Sequence, residues 1–302
     1  ITVVNMGRER MLTSTQLLDE YIQIWEEKRD AGIAHTREAW DERADEWVKE
    51  EQNEQDSRMT QRRIAESIKV LQGAGALGPD SNVIDVGCGP CHFVAEFART
   101  AKHVTGTDLS PRMLEHGADY CHQRGLYNTS FVPCDFKEIS VEEMGWRGAF
   151  DLVFSSMTPA LSEFRCIEKI IEMSRGWCCN STCIISSSTM ETELAGILGI
   201  EAVRPAWDGR WFHALNSIVW LLGYFPQTSY YELRYEENYE ITQKTVERLL
   251  RHHYRELTPG EDRAQEVYER LLEKADNGIF TDQIVSWHGS VLWDTRIRTR
   301  RW

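Results

Sequence analysis

Apolar and polar positions along this chain fall into three regimes. Over residues 14–75 the apolar positions recur at helical spacing in a heavily charged background. Leu17, Tyr21, Ile24 and Trp25 share one helix face, and Trp40, Ala44 and Trp47 share another. Both stripes are expected to pack on the body of the protein. Gly73, Gly75, Gly78 and Pro79 break that pattern. Short apolar runs then alternate with helices. Strands are predicted at 83–86, 103–107, 131–133, 150–155 and 183–187, with a helix over 91–99 and another starting at Ser110-Pro111. There a capping hydroxyl precedes a proline at the first helical position. The third regime begins after strand five. Residues 191–222 read as helical and carry Trp207, Trp211, Phe212 and Trp220. Ordinary loops have a median of ~4–6 residues, so this stretch is expected to be an inserted helical cap. A strand at 229–235, helices at 245–253 and 261–275, and a last strand at 284–293, bent at Gly289, follow. The alternation predicts an α/β chain whose mostly parallel sheet is covered on both faces.

Charge and cysteine usage narrow the function classes. The chain has 34 basic and 48 acidic residues and a formal charge of −14, a field that repels phosphate backbones and argues against nucleic acid as a partner. The eight cysteines are Cys88, Cys91, Cys121, Cys134, Cys166, Cys178, Cys179 and Cys183. They read as small hydrophobes in a reducing compartment. Cys88 and Cys91 have the C-x-x-C spacing of a redox or zinc pair, but no second pair completes a four-cysteine site, so no metal is expected. No secretory signal is visible, and no apolar run reaches the ~18 residues of a membrane span, so the expected location is cytoplasmic, away from the membrane. The basic run Arg296, Arg298, Arg300, Arg301 reads as a solvated end.

The chemistry is concentrated in 83–91, Val-Ile-Asp-Val-Gly-Cys-Gly-Pro-Cys. An apolar strand meets an acidic residue and then a glycine turn. Such a turn lets backbone N–H groups approach a ligand, ahead of a helix whose positive end points the same way. A dinucleotide site expects G-x-G-x-x-G, and from Gly87 and Gly89 the third position is His92, so that fingerprint fails. The segment instead resembles the first motif of the class I S-adenosylmethionine-dependent methyltransferases. Residues 104–110, with Met113-Leu114 beyond, resemble the second motif, 133–136 the third and 150–159 the fourth, in the same order and spacing. The departure is Cys91, where the family usually has its third glycine.

The resemblance covers residues 80–190 and implies a Rossmann-like, seven-stranded, mostly parallel sheet with helices on both faces, an N-terminal helical extension and a helical cap inserted after strand five. The corresponding units are 1–78, an N-terminal extension or lid; 79–190, the S-adenosylmethionine-binding core; 191–226, the cap; and 227–302, which completes the sheet. Asp85, Gly87 and Gly89 would hold the methionine end of the cofactor, with Ser155 near it. Asp108, at the end of strand two, sits at the offset expected of a carboxylate on the ribose hydroxyls. Asp135 would meet the adenine amino group, with Cys134 and Phe136 beside the base and Leu109 and Met113 against its faces.

Methyl transfer from a sulfonium is an in-line displacement, so the protein's task is mainly to align the acceptor and exclude water. His92, His213 and His288 are candidate bases, and nothing in the sequence selects one; the catalytic residue stays unassigned. Residues 155–159, Ser-Ser-Met-Thr-Pro, lack the Asn/Asp-Pro-Pro-Tyr/Phe of family members acting on nucleic-acid amines or protein glutamine. Together with the negative charge, this favours a small-molecule acceptor. Trp40, Trp47, Met157, Trp211 and His213 are candidate acceptor-binding residues. A protein side-chain methyltransferase and a non-catalytic S-adenosylmethionine-binding sensor remain alternatives.

Overall fold

The computed structural model describes residues 13–27, 36–50, 54–200, 209–253 and 261–299. Trp207, Arg300 and Arg301 lie outside the described residues, as does the side chain of Trp47. Seven strands form one sheet: β1 (Asn82–Val86), β2 (His103–Asp108), β3 (Thr129–Pro133), β4 (Phe150–Ser156), β5 (Ser174–Ser188), β6 (Gln227–Glu240) and β7 (Ile279–Asp294). Their order is β3-β2-β1-β4-β5-β7-β6. Pairs from β3 to β5 are parallel, and β7 runs antiparallel to both β5 and β6. This is the expected mostly parallel sheet.

The pleat explains the layering, because alternate residues face opposite sides. Ile84, Val86, Val153, Cys178, Val291 and Trp293 join a buried cluster with α1 (Ser14–Glu26), α6 (Phe164–Met173) and α8 (Arg210–Leu221). Val83, Leu152, Phe154, Cys179 and Leu292 join another with α3 (Glu54–Gly73), α4 (His92–Ala98) and α5 (Pro111–His122). Ser110 caps α5 by accepting from Met113 N, and Pro111 opens the helix, as the sequence predicts. The body-facing stripe of α1 is Leu18, Tyr21, Ile22, Ile24 and Trp25, displaced from the expected Leu17. Trp25 Nε1 donates to Leu161 O at 2.8 Å across the buried interface.

Three features differ from the sequence reading. β5 starts at Ser174, well before residue 183. Its apolar segment Trp177-Cys178-Cys179 is flanked by Gly176 and the polar Asn180-Ser181-Thr182, which hide it as a strand. A Cβ on Gly176 would lie 2.5 Å from Asp151 O, so the close approach of β4 requires glycine there. The stretch 191–226 does not form one unit. α7 (Thr189–Leu198) packs with α9 (Gln243–His253) and α10 (Glu261–Lys274) in a third cluster that includes Met190, Leu194, Leu249, Val267 and Leu271, while α8 lies against α1 on the main body. Pairing runs unbroken through Gly289, and the irregularity falls on β5 between Cys183 and Ile185, opposite His288 and Trp287.

The strands differ in reach. β4 makes its last pair at Ser156↔Ser181, but β5 continues to Ser188, paired with β7, and β6 follows β7 out to Glu240↔Ile279. Three antiparallel strands therefore rise about 20 Å past the carboxyl ends of the parallel ones.

Candidate active site

The carboxyl ends of the parallel strands and one face of that overhang border a cavity of about 1750 Å³. β1 delivers Asp85 to it, and the turn that follows contributes Gly87, Cys88, Gly89 and Pro90. Gly87 and Gly89 have φ of 69° and 51°, left-handed backbone that glycine adopts without a Cβ penalty. A Cβ on Gly87 would also lie 1.9 Å from Thr158 Oγ1, so the turn and the loop after β4 are in direct contact.

Cys91 takes the left-handed conformation without being glycine, at φ 66°. Its side chain is fully buried against α5, where a Cβ on Gly117 would lie 2.2 Å from its Sγ. Gly117 thus makes room for the side chain that replaces the family's glycine. The Cys88 and Cys91 sulfurs are 3.4 Å apart and both are free thiols. Burial pushes the Cys88 thiol well up, which keeps it protonated. Among the described residues no group of three or more His, Cys, Asp or Glu side chains is arranged to hold a metal ion.

Two carboxylates dominate the electrostatics. Asp85 is buried, and its carboxylate accepts no hydrogen bond among the described residues. Burial, then the nearby Asp108, raises it well above the usual carboxylate range. Asp108 accepts from Gly89 N through Oδ2 and from Ser110 N through Oδ1, both at 2.9 Å. Burial raises it despite these bonds. It therefore ties the glycine turn to the end of β2 while its remaining lone pairs lie at the cavity wall. Ser110 Oγ in turn donates to Asp41 of α2 (Arg37–Glu50), which fastens the N-terminal helices to the site. Asp135 is exposed and accepts from Lys137 N at 3.0 Å, while Phe136 is buried beside it.

The cavity brings together Asp85, Gly87, Gly89, Asp108, Leu109, Met113, Cys134, Asp135, Phe136, Trp40 and Met157. Met157 has a left-handed φ of 49°, backbone strain held at the mouth of β4. Ser155 is not among them. The pleat turns it toward α1, α6 and α8, where Asn180 Nδ2 donates to its Oγ at 2.9 Å, and Ser156 faces the cavity in its place. Trp211 borders a separate small cavity behind Met157 and Thr158. His213 is exposed, its ring edge-on to Tyr21 of α1, and lines neither cavity. His92 and His288 do line the main one.

Arg63, Thr158 and Ser286 also line the cavity, and the sequence did not mark them. Arg63 sits within the charged helical pattern of α3, beside Arg62, and nothing in its spacing separates a cavity residue from a solvated one. Ser286 becomes visible only once strand parity is known, and Thr158 only once the turn after β4 is placed against Gly87.

Residues 83–175 match the family model of a methyltransferase domain. This stretch is a methyltransferase domain. No curated protein sequence matches the chain. Among solved structures, the methyltransferase domain and its flanks are similar to a methyltransferase structure from Bacillus halodurans, at 14% identity over 75% of this chain and 97% of that one, with a TM-score of 0.46. They are also similar to magnesium protoporphyrin IX methyltransferase from Synechocystis with bound S-adenosylhomocysteine, at 14% over 76% and 82%, TM-score 0.44. A third likeness is to a structure described as a sarcosine dimethylglycine methyltransferase from Galdieria sulphuraria, at 14% over 79% and 85%, TM-score 0.41. S-adenosylmethionine is the cofactor that the sequence resemblance implies for this methyltransferase domain. The residues present fit that cofactor. A buried carboxylate at Asp85, with no hydrogen-bond donor among the described residues, suits a cationic group, and Gly87 and Gly89 line the cavity without a side chain of their own.

Proposed function

We propose that this enzyme methylates a small-molecule acceptor by in-line transfer. The observation that carries the reading is one continuous cavity, which runs from the carboxylates at the ends of β1, β2 and β3 to the overhanging wall of β5, β7 and β6. A cleft of this kind suits a small ligand placed against a cofactor better than it suits a duplex or an extended chain. The formal charge of −14 supports the exclusion of nucleic acid. Eight unpaired thiols support a reducing compartment, the cytoplasm, and no helix among the described residues is long and apolar enough to cross a membrane.

In this reading segment 79–190 holds the cofactor, while α2 and α3 of segment 1–78 and β6, α9 and β7 of segment 227–302 border the space for the acceptor. Asp85 accepts from the ammonium of the methionine moiety. Gly87 and Gly89 admit that moiety against bare backbone. Asp108 accepts from the ribose hydroxyls. Asp135, with Cys134 and Phe136, meets the adenine, and Leu109 and Met113 cover its faces. When bound, the cofactor supplies a methyl group on a positively charged sulfur, a leaving group that is already activated. Met157 and Trp40 then shape the space in which the acceptor is aligned and water excluded.

Calorimetry with S-adenosylhomocysteine and NAD tests the cofactor site. The wild type is expected to bind the former and ignore the latter, and Asp108→Ala is expected to weaken binding by about 1–3 kcal/mol. Undiminished affinity in that variant would remove Asp108 from the site. The acceptor class is read by incubation with methyl-labelled S-adenosylmethionine and a cell extract split by mass. Label in the low-mass fraction supports the reading, and label confined to protein overturns it.

A further inference from the structure

We infer that Arg63 anchors a carboxylate carried by the methyl acceptor. This rests on the small-molecule reading above and names the acceptor's chemistry.

Arg63 reaches from α3 into the cavity, where Nη2 donates to Ser156 Oγ at 3.2 Å. Among the described residues no carboxylate pairs with its guanidinium. Nearby acids are engaged elsewhere. Glu66 pairs with Arg62; Asp282 accepts from Ser188 Oγ, Thr189 Oγ1 and Met190 N; and Glu237 accepts from Tyr239. The guanidinium instead faces a neutral row. Cys183, His288 and Tyr231 lie directly opposite one another across β5, β7 and β6. The Tyr231 ring stacks on His288 at 5.5 Å, and Ser286 Oγ lies 3.1 Å from His288 Nε2. Burial, helped by Arg63, holds His288 down at about 4, while burial pushes Cys183 and Tyr231 up to about 12. All three are therefore uncharged at neutral pH. The Tyr231 hydroxyl is buried with no hydrogen-bond partner among the described residues.

A half-buried cation among neutral walls is poorly compensated unless an anion meets it. The described residues supply none, and a ligand group can. The planar fork of a guanidinium matches a carboxylate with two parallel hydrogen bonds. Arg43, Arg124 and Arg248 border the same cavity, but Arg63 is the one bonded to Ser156, and one guanidinium in an acidic chain suits a monoanion better than a phosphate dianion. The location assigns the anion to the acceptor. The cofactor carboxylates Asp85, Asp108 and Asp135 lie at the ends of β1 and β2 and in the loop after β3, while Arg63 donates to Ser156 of β4 and lies within electrostatic range of the row on β5, β7 and β6, the opposite half of the sheet.

Benzoate and hexanoate, each compared with its neutral amide, probe the site by calorimetry on the full chain with and without S-adenosylhomocysteine. At least one acid is expected to bind tenfold or more tighter than its amide. Arg63→Gln is expected to erase that preference and Arg63→Lys to keep part of it, with S-adenosylhomocysteine affinity within twofold in both. Thermal melts confirm that the variants fold. Equal binding of acid and amide in the wild type overturns the assignment, as does a preference that survives Arg63→Gln. A tenfold loss of S-adenosylhomocysteine affinity in Arg63→Gln also overturns it, because the guanidinium would then hold the cofactor's own carboxylate. A wild type that ignores S-adenosylhomocysteine sinks the underlying reading; one that takes it but shows no preference for acids sinks this assignment alone.

Discussion

Cys91 and Gly117 act as a pair. A left-handed conformation costs a non-glycine residue about 1–2 kcal/mol, and here the side chain that incurs it occupies the space left by a missing Cβ on the facing helix. Gly117→Ala alone is expected to destabilise by about 1–3 kcal/mol through overpacking. In a Cys91→Gly background the same change should become neutral or favourable, because alanine is the better helix former. Urea titration of the four proteins measures the coupling, and simple additivity would refute the pairing. His288 carries a pH signature. Its folded value of about 4 lies below the ~6.5 of an unfolded chain, so the unfolded state binds the extra proton between those limits. The resulting stability is complete above pH ~6.5 and is lost as pH falls toward 4, by up to about 3 kcal/mol. Denaturation series at pH 7, 5.5 and 4.5 should show this slope, flattened in His288→Gln. At this scale the candidate cofactor residues were legible because a glycine turn and strand ends fix positions along the chain. Ser155 was misplaced by one residue because β4 is apolar on both faces, so its parity leaves no trace in the sequence.

The helices of the N-terminal extension belong structurally to the body. α1 lies in the same layer as α6 and α8, and its Trp25 fills that layer while donating to the carbonyl of Leu161, in the loop that follows β4. Trp25→Phe keeps most of the apolar bulk but strands that carbonyl, so a loss of about 1–3 kcal/mol is expected in a urea melt. A change under about 0.5 kcal/mol would mean that the bond contributes nothing net. Elements with a strong local signal were read correctly, such as α5 with Ser110 and Pro111 at its start. β5 was truncated because its central residues are cysteines and small polar groups that a sheet interior tolerates but a hydropathy pattern does not reveal. α7 and α8 were merged because their partners, α9 with α10 and α1, are distant in sequence.

On the scale of the whole molecule, two apolar clusters sandwich the sheet and a third stands apart under α7, α9 and α10. Stability in such a protein is expected to be uneven. Amide hydrogen exchange should show α9 and α10 opening at lower free energy than β1 and β4, and equal protection would show that the third cluster is fully coupled to the other two. The overall topology was legible in the alternation of strands and helices. The reach of the last strands was not, since a strand's length beyond its neighbours depends on what it pairs with.

That reach gives the enzyme a modular surface. On β7, Asp282, Ile284, Ser286 and His288 line the cavity, while Trp287 between them is turned outward and exposed. Ile284, Ser286 and His288 can therefore be exchanged on the cavity side while Trp287 keeps its place, whereas Asp282 is tied to the start of α7 by Ser188, Thr189 and Met190. Under the proposed function, a combinatorial library confined to those three positions would sample new acceptors while the glycine turn and its carboxylates stay untouched, and a lineage of related enzymes could diversify its substrates by the same route.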